Sequence, residues 1–273
     1  FRVPPFDIIK DNLLKPLFIQ SKISIDKSVE KKIDIFWKEK EKLNKNIDYY
    51  GGIDWKKYIY WAEEIKKGGY ILMFRHAERE KWGEALGGFD AYELYSKTDA
   101  RNTDWYRATC LTERGIETAK NTGRAFKNFG IKIQKVFSSP SCRARETAFY
   151  TFGRIDEIHS SLLHKTAIHP FDRHKFAKDL RETILNFNLD KDKNLVLSAH
   201  NSVIDFEGLI DEFNDKIGLE ETGFYVIEKV DSKLIVRHQF HKSSEINMIM
   251  FRLDPLKKKC SQPTNPSIAC NSM

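Results

Sequence analysis

The stretch Tyr70-Ile71-Leu72-Met73-Phe74-Arg75-His76 decides the fold. A short apolar run of this kind reads as a buried strand, and it ends on two side chains able to hold an anion. The construction recurs twice. Lys135 to Ser138 leads into Ser139-Pro140-Ser141-Cys142-Arg143, and Leu195 to Ala199 delivers His200. In an open α/β sheet ligands bind beyond the carboxyl ends of the strands. Three separate segments that bring His and Arg to one such edge therefore describe a site, and the chemistry they suggest is phosphoryl transfer through histidine.

The segments between these strands read as helices. Thr112 can cap a helix through about Phe129, with Ile116, Ala119, Gly123 and Phe126 on its buried side and Gly130 ending it. Arg145 to Phe152 and Phe176 to Phe187 read as two more. Phe224 to Lys229 and Leu234 to His238 form a late pair of strands, and Met248 to Leu253 is expected to add another. Upstream, Ser28 can cap a helix carrying Val29, Ile33, Phe36, Trp37 and Leu43. A second helix follows Asp54, with Trp55, Tyr58, Ile59, Ala62 and Ile65 on one face and Gly68-Gly69 as its stop. The expected organisation is a helical extension over 1–69, a catalytic domain over 70–255 and an irregular tail over 256–273. The long connection between Arg79 and Leu111 follows the candidate nucleophile directly and is expected to shape or cover the site.

Bulk properties narrow the function classes. The chain has 273 residues, 41% hydrophobic and 31% charged, and no apolar stretch approaches the roughly 18 residues that span a bilayer. The net charge is +7 and the pI about 9.0, yet lysines alternate with acids, as in "WKEKEKL" at 37–43. Such mixing describes a solvated helix face rather than a nucleic-acid surface. The Cys and His spacings do not form a zinc pattern, so neither a metal nor another cofactor is expected. The partner expected is a phosphorylated small molecule or macromolecule, with no nucleic acid and no membrane span.

Four cysteines, Cys110, Cys142, Cys260 and Cys270, form an even set. A Cys110–Cys142 bridge would close a loop of about 30 residues and stabilise by roughly 3–4 kcal/mol in an oxidising compartment. Buried thiols are the alternative, and a Cys260–Cys270 bridge would staple the tail. With a chain numbered from Phe1, the pairing leads to the expectation of an exported protein, periplasmic or extracellular, the cytoplasm staying open.

A histidine attacks phosphorus only through a neutral ring nitrogen with a free lone pair. Guanidinium groups beside it disfavour the imidazolium and hold the phosphate oxygens, which Arg75 and Arg143 can both do. His200 is a candidate donor to the phosphoryl oxygens.

The pieces "ILMFRHAE" at 71–78, "LTERGIETAKNTG" at 111–123, "VFSSPSCRARETA" at 136–148 and "LVLSAHNSVI" at 195–204 together resemble the histidine phosphatase superfamily, which includes cofactor-dependent phosphoglycerate mutases and many phosphomonoesterases. The resemblance implies a three-layer α/β/α sandwich with a mainly parallel sheet, here with the N-terminal helical extension added. It implies His76 as the residue transiently phosphorylated and Arg75, Arg143 and His200 in the phosphate pocket. Arg79 and Asn201 are further substrate-binding candidates, and Ser139 reads as a turn residue.

Two departures matter. Ala77 stands where a glycine is usual, and would be strained at positive φ. Asn201 stands where one branch places an aspartate donor, and it cannot protonate a leaving group. In the other branch the acid comes from the region that is 162–176 here. Asp172 is its only carboxylate and the candidate general acid, with Glu78, Glu84 and Glu221 as outsiders. The reading is a metal-independent phosphatase acting on a phosphomonoester through phosphohistidine. A phosphohistidine phosphatase, or a phosphate-binding module without turnover, stands as the alternative.

Overall fold

The computed structural model describes residues 28, 30–35, 55–80, 110–165, 168, 170–213 and 218–253. Helix α1 spans Trp55–Lys67 and strand β1 Tyr70–Arg75. Then come α2 (Glu113–Phe129), β2 (Ile133–Ser138), α3 (Cys142–Phe152) and the short β3 (Glu157–Ile158). Two 3-10 turns, Ser160–Leu162 and Pro170–Asp172, lead to α4 (Arg173–Asn186) and β4 (Asn194–Ala199). Strands β5 (Glu212–Phe213), β6 (Phe224–Val230) and β7 (Lys233–Phe240) precede α5 (Ser244–Leu253).

The seven strands form one sheet in the order β3-β2-β4-β1-β6-β7-β5. Within it β6 alone runs against its neighbours β1 and β7; the other pairs are parallel. The sheet is mixed but mainly parallel, as the resemblance implied. Because side chains alternate across a strand, β1 sends Leu72 and Phe74 into one core and Ile71 and Met73 into the other. Strands β2, β4 and β6 divide in the same way, with Val136, Val196 and Val226 facing one side and Phe137, Leu197 and Ile227 the other. The central strands β1 and β4 feed both cores along nearly their whole length, and this is why they read as hydrophobic runs.

The first core lies under α1, α2, α3 and α5, and the second under α4 and the 203–209 segment. Three layers result. Phe74, Phe224 and Phe240 stack across adjacent strands, with centroids 4.7 Å apart at each step. Helix α1 enters this core through Trp55, Ile59, Ala62 and Ile65. Residues 28 and 30–35 are helical, and Ile33 packs against the same cluster; the rest of that expected helix lies outside the described residues.

Local signals set the helix ends. The Thr112 side chain accepts from Gly115 N, and Gly130 closes α2 in the left-handed conformation. A Cβ on Gly123 would sit 2.1 Å from the Thr151 carbonyl, so glycine is what allows α2 and α3 to touch there. One expectation fails: Met248 to Leu253 is not a strand. Ile246, Ile249, Met250 and Leu253 recur at helical spacing, and α5 buries that stripe against the first core while Met248 faces solvent.

Candidate active site

Strands β2, β4 and β1 lie side by side and parallel, so their carboxyl ends form one edge. Register levels them: Arg75 pairs with Ala199, and Ser198 with both Phe74 and Ser138. The next residue of each strand is therefore His76, Ser139 or His200. Helix α3 starts just beyond β2 and brings Arg143 in its first turn, where helix N-termini favour anions.

His76 and His200 are both buried, and their ring centroids are 5.4 Å apart. The Nδ1 of His76 lies 2.8 Å from the Ala77 carbonyl oxygen. A carbonyl can only accept, so Nδ1 carries the proton and Nε2 keeps its lone pair. Burial, then the Arg143 charge, with Arg75 and Arg79 adding to them, holds the His76 pKa well below the ordinary histidine value. The ring is neutral at neutral pH.

In His200, Nδ1 faces Arg143 Nη2 at 3.4 Å, while Nε2 lies 3.0 Å from Ser141 Oγ and 3.2 Å from Ser139 Oγ. A guanidinium only donates, so the proton sits on Nε2 and goes to the serine hydroxyls. Burial and Arg143 also depress this pKa, with lesser contributions from His76, His164 and Arg79.

The backbone around these rings is tied together. His76 N donates to Ala199 O at 3.1 Å, Ala77 N to Thr147 Oγ1 at 2.9 Å, and Thr147 Oγ1 to Arg143 O at 2.7 Å. One threonine hydroxyl thus joins the His76 turn to the helix turn that carries Arg143. Ala77 is fully buried, and positive φ among non-glycine residues is confined to Thr222 and Asp231 within the described chain. The substitution of alanine for glycine brings no such strain.

Arg75 Nη1 donates to Leu219 O at 2.5 Å. The Asn201 side-chain oxygen accepts from Leu219 N at 3.3 Å and from Tyr225 Oη at 3.1 Å, so Asn201 fixes the loop that holds Arg75. Arg79 pairs with Leu111 in an isolated bridge, and its charge is felt by both His76 and His200. Arg75, His76, Arg79, Arg143 and His200 therefore share one electropositive cluster, whose chemistry suits an oxyanion facing an uncharged lone pair.

The candidate acids differ in their surroundings. Asp172 is exposed at the head of α4 and makes no capping bond with its side chain. Glu78 accepts from Thr112 Oγ1 at 3.1 Å and pairs with Arg114 at 3.4 Å. Glu84 is outside the described residues. Ser141, Thr147 and His164 join the site in the structure without being sequence candidates, and Ser139, expected as a turn residue, also faces His200. His164 stacks edge-on against His200 at 5.4 Å. In the 162–176 stretch Asp172 is the only carboxylate, and the sequence signal for His164 is a histidine next to the apolar pair Leu162-Leu163.

Cys110 and Cys142 form a disulfide with Cα atoms 5.0 Å apart, while Cys260 and Cys270 lie outside the described residues. The sulfur atoms and Glu146 lie close together, but bridged cysteines offer no thiolate to a metal. No helix among the described residues is long and apolar enough to cross a membrane.

No curated protein matches the chain. Solved structures to which it is similar include the protein histidine phosphatase SixA complexed with tungstate, at 14% identity over 65% of this chain and 99% of that one, TM-score 0.43. Phosphoserine phosphatase from Entamoeba histolytica in complex with 3-phosphoglyceric acid is similar at 17% identity over 62% and 95%, TM-score 0.39. Phosphoglycerate mutase from Bacillus anthracis str. Sterne is similar at 15% identity over 68% and 99%, TM-score 0.39. Residues 71–160, which hold Arg75, His76 and Arg143, match the family model described as histidine phosphatase superfamily (branch 1), and over that segment the chain is similar to the histidine phosphatase superfamily.

Proposed function

We propose that the protein is a metal-independent phosphatase that hydrolyses a phosphomonoester through a phosphohistidine on His76. The observation that supports this best is the fixed tautomer of a buried, neutral His76 among three guanidinium groups. The Nε2 lone pair attacks phosphorus, and the bond to the leaving oxygen breaks with its electron pair staying on that oxygen. Arg143, with Arg75 and Arg79, offsets the charge spread over the equatorial oxygens. Water then attacks the phosphohistidine, and the electron pair of the N–P bond returns to Nε2. His200 acts here by orienting Arg143 through the 3.4 Å contact to its Nδ1. Its other ring nitrogen donates to the serine hydroxyls.

The test is to incubate wild type and His76→Ala with p-nitrophenyl phosphate and to trap acid-labile protein-bound phosphate. The variant should lose turnover and the trapped phosphate together; equal rates would end the proposal. A phosphate-binding module without turnover would instead bind inorganic phosphate and release no product. The substrate is a phosphorylated small molecule or macromolecule. The Cys110–Cys142 bridge supports work in an oxidising compartment, which thiol titration of protein isolated under alkylating conditions would check.

A further inference from the structure

The geometry points to His164 as the group that protonates the leaving oxygen and later takes the proton of the attacking water; the assignment rests on the phosphatase reading above. An alkoxide leaves a phosphate monoester slowly unless a proton reaches it in the transition state, and neither buried ring can supply one. His76 carries its only proton on Nδ1, directed at the Ala77 carbonyl. His200 directs its own at Ser139 and Ser141. Two nearby carboxylates have other tasks: Glu146 accepts from Leu111 N at 2.8 Å, and Glu78 faces Thr112 and Arg114.

His164 is placed differently. His200 has His76 against it at 5.4 Å and His164 against it at 5.4 Å, so the three imidazoles form one array. His164 is the half-buried member, whereas the other two are closed off from solvent. Its backbone is anchored on both sides. Leu162 and Leu163 are buried in the second core, and Lys165 N donates to Ser202 Oγ at 3.4 Å, two residues beyond His200. Arg173 Nη2 also donates to the Lys165 carbonyl at 3.0 Å. A ring held firmly at the rim, in contact both with the phosphate cluster and with water, has the position a proton carrier needs.

The proton balance closes. As the P–O bond breaks, the leaving oxygen takes the proton of the His164 imidazolium and departs as the alcohol. Neutral His164 accepts a proton from the water that attacks the phosphohistidine, and the imidazolium is restored.

The leaving group provides the test. A p-nitrophenolate departs without help and an alkoxide does not, so the readout is the ratio of turnover on β-glycerophosphate to turnover on p-nitrophenyl phosphate. Any loss of folded protein cancels in that ratio. His164→Gln and His164→Asn should lower it about a hundredfold, with aryl turnover largely kept. A ratio unchanged within about threefold, or a wild type that is active on the aryl ester but inert towards the alkyl ester, overturns the assignment while His76 stands. His76→Ala, run alongside, removes turnover on both esters if the underlying reading holds, and retained turnover would overturn both.

Discussion

Removing the Cys110–Cys142 bridge tests how the site is held in place. The two residues are 32 apart in sequence, and on the chain-entropy model a closed loop of that size contributes about 3.5–4 kcal/mol by restricting the unfolded chain. For a protein of this length 1 kcal/mol corresponds to roughly 2–4 °C in Tm, so Cys110→Ala/Cys142→Ala should melt about 7–15 °C lower. The effect should also reach the site. Cys142 is the first residue of α3 and Arg143 the second, and without the bridge the 110–111 segment stays on that helix turn through the bond from Leu111 N to Glu146. Looser ordering of Arg143 worth ~1 kcal/mol would weaken phosphate binding about fivefold. Thermal melting of wild type and double variant, with calorimetric titration of inorganic phosphate, measures both effects. A Tm change below about 2 °C, in wild type whose bridge is verified by thiol titration, would refute the reasoning.

Thr147→Val keeps the side-chain shape but leaves the buried Ala77 N–H without its acceptor, so it should cost about 1–3 kcal/mol in urea denaturation and reduce turnover. Gly123→Ala should destabilise by ~1–3 kcal/mol despite alanine's better helix propensity, because the new Cβ meets the Thr151 backbone; unchanged stability would count against that contact. His238 is buried beside Trp61, Tyr58 and Phe240, and burial holds its pKa well below the ordinary value. The unfolded chain therefore takes up its proton first as pH falls below about 6.5, and the folded state loses up to ~2 kcal/mol by pH 5. His238→Phe should lose correspondingly less stability between pH 7.5 and 5, and identical pH profiles would contradict this. Glu245 shows the opposite case: burial raises its carboxyl to about 7, so stability falls as pH rises from about 4.5 through that value. Glu245→Gln should gain on the order of 1–2 kcal/mol at pH 8 in chemical denaturation, and less at pH 5.

The sheet was legible in the sequence because β1 and β4 feed two cores and so carry apolar runs leading to His76 and His200, while in β2 the shorter Val136-Phe137 pair leads to Ser139. Capping chemistry at Thr112 and Gly130 made α2 legible in the same way. Helix α5 was not, since the Met248–Leu253 run is apolar whether read at period 2 or 3.6, and only the stripe from Ile246 through Ile249 to Leu253, packed on the first core, decides. In the site, residues at strand ends could be found because position along the chain implies position in space. His164 could not, for its place beside His200 depends on a 3-10 turn and on Leu162 and Leu163 entering the second core. Asn201 looked like a ligand residue, and only the path of the 219 loop gives it the Leu219 amide and the Tyr225 hydroxyl.

The bond from His76 Nδ1 to its own neighbour's carbonyl has an effect beyond choosing which nitrogen attacks. A carboxylate in that place would make the imidazole more basic and strengthen its hold on phosphorus once joined to it. An uncharged amide oxygen does so far less, and the surrounding guanidinium groups discourage any positive charge on the phosphorylated ring. In the proposed mechanism the covalent intermediate would therefore be short-lived, and one main-chain contact would govern both how the phosphoryl group is taken up and how readily it is surrendered to water.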